Sequence, residues 1–299
     1  MSGRIIVIGA LVVLSLTRTA SAIEPDAEAI ARVTGRTPEI LGSVAKISVP
    51  RADLAVRVDG VPIVPFQGLT SWAAFAAAGS ESMLMGDVVV TEDEVNPALS
   101  AALDNGLEVT ALHNHFAFDE PRVMFMHIGG HGPSERLAAG VKATLDAVER
   151  VARERVANGG KPPVRHAGRP FPARSSIDAA ALEEILGGTA QAKDGMAKFV
   201  FSRRTTMHGV EAEAAMGVNT WAVFAGSPED AVVDGDFAML DAEVQAVLKA
   251  LRRGGIDVVA IHNHMIGEQP QLVFLHFWGR GRASDLAATI KTARAAQAS

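Results

Sequence analysis

The sequence of 299 residues contains no cysteine and no tyrosine, and these absences narrow the chemistry that it can support. Without cysteine there are no disulfides, thiolate metal sites, thiol nucleophiles or sulfur-linked lipids. Aromatic residues make up only 5% of the chain. Basic residues are fewer than acidic ones, and the net charge of −6 argues against a broad basic surface for nucleic acid. The stability of such a chain must come from packing alone.

Long apolar runs are also missing, except at the N-terminus. Arg4 precedes the apolar stretch Ile5–Leu16, which is short for a membrane span, and Ala20-Ser21-Ala22 fits a small-x-small cleavage pattern. We therefore predict a secretory signal peptide over residues 1–22, cleaved after Ala22, and an exported protein that is periplasmic or secreted. The alternative is an uncleaved N-terminal anchor. No later segment has 18 consecutive uncharged apolar residues, so no transmembrane segment is expected in the mature chain.

The chain contains an internal repeat. A shift of 149 residues aligns residues 60–138 with 209–287 without a gap, and 26 of the aligned positions are identical. The shared positions include a Trp-Ala-x-Phe segment and a His-Asn-His segment in each copy. Identity of about a third over this length indicates a duplication.

Each copy has a mixed pattern of strands and helices. Strand-like stretches cover residues 72–76 and 83–90, and a capping box at Thr91 and Glu94 predicts a helix that ends near Gly106. Two strands, 107–115 and 122–128, and a helix from Ser134 are expected to follow. This order predicts an α+β fold of two tandem homologous repeats, each an antiparallel sheet with helices packed on one face.

A stretch rich in proline, glycine and arginine separates the two copies and is typical of a linker. The predicted domain organisation is a signal peptide over 1–22, repeat one over 23–157, the linker over 158–175 and repeat two over 176–299.

Six of the nine histidines occur as three duplicated pairs. Residues i and i+2 of a strand face the same side, so the outer two residues of His-Asn-His project together, and the Asn points away. If the turn at Pro121 closes a hairpin, a third histidine reaches the same face from the next strand. Three imidazoles in this arrangement suit a divalent metal such as zinc, manganese, iron or copper. The predicted ligands are His113, His115 and His127 in repeat one, and His262, His264 and His276 in repeat two.

Nearby carboxylates are predicted to complete these sites. Asp119 or Glu120 would do so in repeat one, and Glu268 in repeat two. Other polar side chains would act from outside the ligand set by fixing a histidine tautomer, and these are Asp87, Asp236, Asn114 and Asn263. The alternative for the two Asp residues is hydrogen bonding within turns and helix starts.

Three interpretations of the histidines stay open on the sequence alone. They are metal ligands, or they hydrogen-bond backbone groups at strand ends, or they serve metal-free catalysis or ligand binding. The first describes an exported metal-binding protein of unassigned activity, in which a catalytic metal would activate water. The runner-up is a non-catalytic module that binds a cell-envelope component or a small molecule, with structural histidines. Since Walker A, dinucleotide and Gly-x-Ser-x-Gly patterns are absent, no nucleotide cofactor is expected.

Several sequence blocks resemble a known family. They are Met85-Gly86-Asp87, Ala111-Leu112-His113-Asn114-His115, Pro121-Arg122, Gly217-Val218-Asn219-Thr220-Trp221, Gly235-Asp236-Phe237 and Phe274-Leu275-His276-Phe277-Trp278. These blocks are similar to the LppY/LpqO family, known as domain of unknown function 1259, over nearly the whole mature chain. The resemblance implies an exported bacterial protein. Some family members are lipoproteins, whereas this chain lacks the lipid-bearing cysteine. The family brings no established activity, so the resemblance assigns no role to any residue.

Overall fold

The structure is a computed structural model that describes residues 25–161 and 170–298. The predicted signal peptide and residues 162–169 of the predicted linker lie outside the described residues. No helix in the described part of the chain is long and apolar enough to cross a membrane.

The described residues form six α-helices, three in each repeat. They are α1 (Ala27–Thr34), α2 (Glu92–Asp104), α3 (Ser134–Ala157), α4 (Ala179–Leu186), α5 (Val244–Arg253) and α6 (Ala283–Ala295). The first helix of each repeat begins at an aspartate whose side chain accepts a hydrogen bond from the amide three residues later. Both helices end at a glycine in the left-handed conformation, Gly35 and Gly187.

The strands of repeat one are β1 (Glu39–Leu41), β2 (Val44–Pro50), β3 (Arg57–Val58), β4 (Val61–Pro62), β5 (Thr70–Ala78), β6 (Glu81–Thr91), β7 (Glu108–His113), β8 (Asp119–Glu120) and β9 (Val123–Gly132). Those of repeat two are β10 (Gln191–Lys193), β11 (Met196–Ser202), β12 (Thr205–Met207), β13 (Val210–Ala212), β14 (Asn219–Gly226), β15 (Ala231–Leu240), β16 (Asp257–His262) and β17 (Leu272–Gly281).

Twelve of these strands form one continuous sheet in the order β1-β2-β5-β6-β9-β7-β16-β17-β15-β14-β11-β10. Each repeat contributes six antiparallel strands, and the two halves join where Leu112 of β7 pairs with Ile261 of β16. These two residues are equivalent in the repeat alignment, so the pairing has approximate twofold symmetry. The α+β fold with two repeats is confirmed, and the structure adds that the two sheets are joined edge to edge.

Two side-chain amides support this junction. Gln245 of α5 accepts from the amide of Val109 at 2.9 Å and donates to its carbonyl at 2.9 Å. Asn96 of α2 makes the same two contacts with Val258, at 2.8 and 3.2 Å. Asn96 and Gln245 are equivalent positions, and each pairs with the central strand of the other repeat next to a β-bulge.

The helices pack on one face of the sheet, where the main hydrophobic core lies. Residues of β6, β7 and β9 that point to this face include Val88, Leu112 and Met126. We call the opposite side the open face. Two small apolar clusters cover part of it, one around Phe125 in repeat one and one around Phe274 in repeat two.

Element limits differ from the sequence prediction in one respect that bears on the site. The strands expected to run to His115 and His264 end at His113 and His262. Beyond these residues the chain leaves the sheet, and His115 stacks on Phe125 with ring centroids 3.3 Å apart, as His264 does on Phe274 at 3.4 Å. The predicted alternation of side chains therefore does not extend through the whole His-Asn-His segment.

Candidate metal centres

Strand register places a carboxylate beside the histidines on the open face. In repeat one, Asp87 of β6 is the direct cross-strand partner of His127 on β9. In repeat two, Asp236 of β15 is the partner of His276 on β17. Phe125 and Phe274 lie two residues before these histidines and therefore share their face. The aspartates, which sequence reasoning placed outside the ligand set, thus lie within the histidine clusters.

The three histidines of each repeat lie close together, although His115 and His264 reach the cluster from beyond the strand ends. The His113 ring lies 5.2 Å from that of His115 and 5.0 Å from that of His127, which is stacked on it. The same pattern recurs at His262, whose ring is 5.1 Å from His264 and 4.8 Å from His276. We call these clusters, each with its aspartate, site one (Asp87, His113, His115, His127) and site two (Asp236, His262, His264, His276).

Site two contains a compact group of three side chains that could hold a metal ion. Asp236, His262 and His264 each offer one ligand atom, and these atoms lie within 4.8 Å of one another. Asp236 Oδ2 is 3.3 Å from His264 Nε2. Ligands at 2.0–2.1 Å from a tetrahedral zinc ion are separated by about 3.3 Å, so this pair already has the spacing of two ligands.

His276 lies beside this group rather than within it. Its ring is stacked on His262, and its Nδ1 is 3.2 Å from the Gly235 carbonyl oxygen. A hydrogen bond from Nδ1 to a carbonyl is the usual contact that orients an imidazole and leaves Nε2 as the free ligand atom.

Site one has the same residues in a looser arrangement. Here the corresponding distance, from Asp87 Oδ2 to His115 Nε2, is 3.9 Å. Asp87 Oδ1 is buried and has no hydrogen-bond partner among the described residues, whereas Asp236 Oδ1 accepts from the Leu275 amide at 3.0 Å. Site two is therefore better preorganised for a cation than site one.

Burial controls the electrostatics of both sites. It raises the pKa of Asp87 and of Asp236 above the usual range, against the opposing effect of the neighbouring histidines. It also lowers the pKa of His113, His115 and His262, which favours their neutral form. Neutral imidazoles are the form that binds metal. In addition, His262 Nδ1 is buried and has no hydrogen-bond partner among the described residues. This is expected of a nitrogen that binds a ligand.

The carboxylates of the turns have a different environment. Asp119 Oδ2 accepts from the Val123 amide at 2.8 Å, and Glu268 Oε1 accepts from the Leu272 amide at 3.1 Å. These equivalent contacts close the turn before β9 and β17. Glu268 is fully buried, and its second oxygen has no partner among the described residues. Glu268 is not part of the group formed by Asp236, His262 and His264.

The remaining predicted residues are at the surface. Glu120 is exposed and lies on β8, where it pairs with Arg57 of β3. Asn114 and Asn263 are both exposed. The structure does not bring these three residues into the histidine clusters.

Sequence reasoning did not identify a duplicated cation–aromatic pair next to each site. Trp72 pairs across the sheet with Asp87, and Lys46 Nζ lies 4.7 Å from the centre of its ring. Trp221 pairs with Asp236, and Lys198 Nζ lies 4.9 Å from its ring. The two lysines are 152 rather than 149 residues apart, so the gap-free alignment does not match them.

The two sites are separate centres. Sites one and two are centred on β9 and β17, which are three strands apart in the sheet. With neighbouring strands about 4.8 Å apart, the centres are roughly 14 Å from each other, too far for one bridging atom.

Comparisons with solved structures give only remote similarity. A trimeric bacterial microcompartment shell protein PduB is 12% identical, with 87% of this chain and 89% of that chain covered and a TM-score of 0.20. EutL from Clostridium perfringens is 13% identical over 73% of this chain and 79% of its own, with a TM-score of 0.19. The ethanolamine utilization protein EutL from Leptotrichia buccalis is 13% identical over 87% and 95%, with a TM-score of 0.21. These scores are too low to assign a shared fold.

Sequence comparison gives a clear family assignment. No functionally curated protein matches the chain. The family model described as Domain of Unknown Function (DUF1259) matches residues 28–147 and again residues 180–296. The two matched regions correspond to the two structural repeats and contain both histidine clusters. The chain therefore belongs to the DUF1259 family and carries its domain twice.

Proposed function

We propose that the protein binds divalent transition-metal ions at two separate sites, one in each repeat. Asp236, His262 and His264 would hold the ion at site two, and Asp87, His113 and His115 the ion at site one. His276 and His127 each lie beside one of these groups as a third imidazole. The observation that carries the proposal is the 4.8 Å group of one carboxylate and two imidazoles in repeat two.

The chemistry of the donors supports this proposal. Imidazole nitrogen with carboxylate oxygen suits zinc, iron, manganese or copper in the divalent state. The carboxylate is buried, and burial lowers the pKa of His262, which favours the neutral imidazole that binds metal. A cation at this position would compensate the buried carboxylate, which has no Lys or Arg partner among the described residues.

A bound ion would supply Lewis acidity on the open face of the sheet. The residues of the chain fix the donors: Gly235 orients His276 through its carbonyl, and the Leu275 amide holds Asp236. Trp221 pairs with the same aspartate from the adjacent strand, and Lys198, one strand further away, lies over the Trp221 ring. The proposed metal site two would therefore have an aromatic side chain next to it and a cation on the far side of that ring.

The test is metal analysis of untagged protein purified after expression with trace metals and after reconstitution with Zn(II). We expect two equivalents per chain in the wild type. We expect one equivalent in a His262→Ala/His264→Ala variant and one in a His113→Ala/His115→Ala variant. The control is His208→Asn, which removes a histidine outside both sites at a position with φ of 52°, where asparagine is well tolerated.

Absence of bound metal from the wild type after reconstitution would overturn the proposal. It would favour the alternative in which the histidines are structural and the protein is a non-catalytic envelope ligand-binding module. Retention of two equivalents in both double variants would also overturn it, because the ions would then lie elsewhere.

We also propose that the protein is exported through a cleaved signal peptide. Arg4, the apolar run Ile5–Leu16 and the Ala20-Ser21-Ala22 pattern support this proposal. Mass spectrometry of the protein from the envelope fraction of expressing bacteria should find an N-terminus at Ile23. Recovery of the chain with residues 1–22 intact in the cytoplasmic fraction would contradict it.

A further inference from the structure

Repeat one carries two exposed methionines on the open face, Met83 and Met85, at positions where the aligned residues of repeat two are Val232 and Asp234. We propose that Met83, Met85 and His131 form a binding site for a soft monovalent cation, Cu(I), with two thioether sulfurs and one imidazole nitrogen as donors. This site is distinct from the divalent sites and shares no ligand with them.

Strand register brings the three donors together. In the pairing of β6 with β9, Met83 lies directly opposite His131, and Met85 lies opposite Gly129. Met83 and Met85 are two residues apart on one strand and therefore face the same side. Directly opposite residues have Cβ atoms about 4.5–5.5 Å apart, within reach of long side chains. The absent side chain of Gly129 leaves the space between them open.

The same residues line one cavity. A groove of about 310 Å³ runs over Gly129 and includes Met83, Met85 and His131 in its walls, together with Glu108 and His127. Met83 is 46% exposed and Met85 is 56% exposed. Methionine is usually a buried residue, so two of them facing one solvent-filled groove is a pattern that packing does not explain.

His131 is held in an orientation that suits ligation. Its Nδ1 lies 3.1 Å from Glu81 Oε2, at the beginning of β6. The negative charge of this carboxylate favours the tautomer with the proton on Nδ1, in which the lone pair of Nε2 is available to a metal.

Repeat two offers an internal comparison. The positions equivalent to Met83, Met85 and His131 are Val232, Asp234 and Arg280, none of which binds a soft cation. The position of Gly129 is occupied by Trp278, which pairs across the sheet with Asp234. Arg280 forms an ion pair with Asp230 at 2.7 Å, the structural counterpart of the contact between His131 and Glu81. The thioether site therefore belongs to repeat one.

Ligand chemistry selects the ion. Thioether sulfur is a soft donor that binds Cu(I) and contributes little to zinc or manganese sites. The chain has no cysteine, so no thiolate competes for a soft cation. Exposed methionines beside a histidine are the soft-donor set that such a chain can build.

The experiment is anaerobic titration of full-length mature protein with Cu(I) in competition with bicinchoninate, a coloured Cu(I) chelator. We expect the wild type to withdraw one equivalent of Cu(I) more tightly than the Met83→Leu/Met85→Leu variant, whose affinity should be at least tenfold lower. Leucine has a similar volume, so folding should be retained, and circular dichroism confirms this point. Met216→Leu, which removes an exposed methionine in repeat two, is the matched control and should bind like the wild type.

Two further measurements locate the ion. With ¹³C-methyl-labelled methionine and Ag(I) as a redox-inert substitute, the signals of Met83 and Met85 should move and that of Met216 should not. His131→Gln should weaken Cu(I) binding, whereas His262→Ala/His264→Ala should leave it unchanged. If Cu(I) affinity survives in Met83→Leu/Met85→Leu and falls in His262→Ala/His264→Ala, the ion occupies the histidine sites and the proposal is wrong.

Discussion

Asp236 is the residue that most clearly separates site two from an ordinary surface cluster of histidines. It is only 2% exposed, and burial raises its pKa. A carboxylate in such a position costs stability in the metal-free protein unless a cation lies next to it. Proteins commonly retain such unfavourable groups where they bind a ligand.

Replacement of Asp236 by Asn should therefore have opposite effects on stability and on metal binding. The variant keeps an acceptor for the Leu275 amide but loses the buried charge. We expect the metal-free protein at pH 8 to gain about 1 kcal/mol in its free energy of unfolding, or roughly 2 °C in Tm. We also expect Zn(II) affinity at site two to fall at least tenfold. Thermal unfolding in chelator, followed by zinc titration, measures both effects.

Asp234→Asn is the matched control for this substitution. Asp234 lies two residues earlier on β15, on the same face, and is exposed. It should change neither Tm nor zinc affinity appreciably. A lower Tm for Asp236→Asn in chelator would show that the carboxylate stabilises the metal-free fold. It would contradict the proposal that Asp236 is a metal ligand that destabilises the metal-free protein.

The histidines of the site were accessible to sequence reasoning, but the aspartate's role was not. The spacing of two residues within His-Asn-His is a local feature of the sequence, and its duplication at His113 and His262 singles it out. Asp236 lies 26 residues before His262, and its place beside His276 depends on the pairing of β15 with β17. Glu268 is close in sequence to the histidines, yet one of its oxygens holds the backbone of its own turn.

At the scale of elements, a buried ion-pair network fixes the start of α2. Arg51 Nη1 donates to Glu94 Oε2 at 2.8 Å, and Glu94 Oε2 also accepts from the Thr91 amide at 2.9 Å. Burial by itself would lower the pKa of Arg51, but hydrogen bonds and charge from Asp53 and Glu94 outweigh it, so the pKa is raised. Arg155 of α3 contributes a second guanidinium to the same carboxylate. One carboxylate thus connects a helix start, a strand end and a second helix.

The equivalent pair in repeat two is simpler, and this difference gives a prediction. Glu243 binds Arg203 at 2.8 Å, and that arginine side chain is 25% exposed, against 5% for Arg51. Glu94→Ala should cost about 3–5 kcal/mol, because it leaves two arginines without their buried partner. Glu243→Ala should cost about 1–3 kcal/mol. Urea unfolding of both variants makes the comparison, and equal costs would show that the second arginine adds nothing.

The capping contact of Glu94 was predicted from the sequence, whereas its arginine partners were not. A capping box spans four residues and is read directly from Thr91 and Glu94. Arg51 lies 43 residues upstream, and its counterpart Arg203 is 152 residues away, outside the gap-free alignment. A three-residue length difference between the repeats therefore concealed a duplicated structural feature.

At the scale of the whole molecule, the central finding is that two homologous sheets form one. The duplication and the α+β order of each repeat were predictable, because both follow from local patterns. The edge at which the repeats meet was not, because it depends on a single pairing of Leu112 with Ile261 and on two side chains that differ between the copies. Asn96 and Gln245 are different residue types, so the alignment of the repeats does not single them out. Both are nevertheless side-chain amides that bind the backbone of the other repeat.

Removal of either side-chain amide should weaken the junction between β7 and β16. Asn96→Ala would leave the buried amide and carbonyl of Val258 without partners, and Gln245→Ala would do the same at Val109. Each substitution should cost about 1–3 kcal/mol in the free energy of unfolding. Hydrogen exchange should accelerate at Val258 in the first variant and at Val109 in the second. Unchanged exchange at these amides would show that strand pairing alone protects them.

The shared sheet also predicts how metal binding stabilises the molecule. An ion at either site binds only the folded state, and at a concentration of about one hundred times Kd it adds about 2.7 kcal/mol. Because strands of both repeats belong to one sheet, we expect a single unfolding transition that moves upward as a whole when Zn(II) is added.

The two sites should contribute unequally to that shift. In site two, Asp236 and His264 already lie 3.3 Å apart, whereas Asp87 and His115 in site one are 3.9 Å apart and must move closer. Less reorganisation gives tighter binding, so His262→Ala/His264→Ala should lose more of the zinc-induced rise in Tm than His113→Ala/His115→Ala. Calorimetric scans with and without Zn(II) measure both shifts. Two separate transitions, of which zinc moves only one, would mean that the repeats unfold independently and that the Leu112–Ile261 pairing does not couple them.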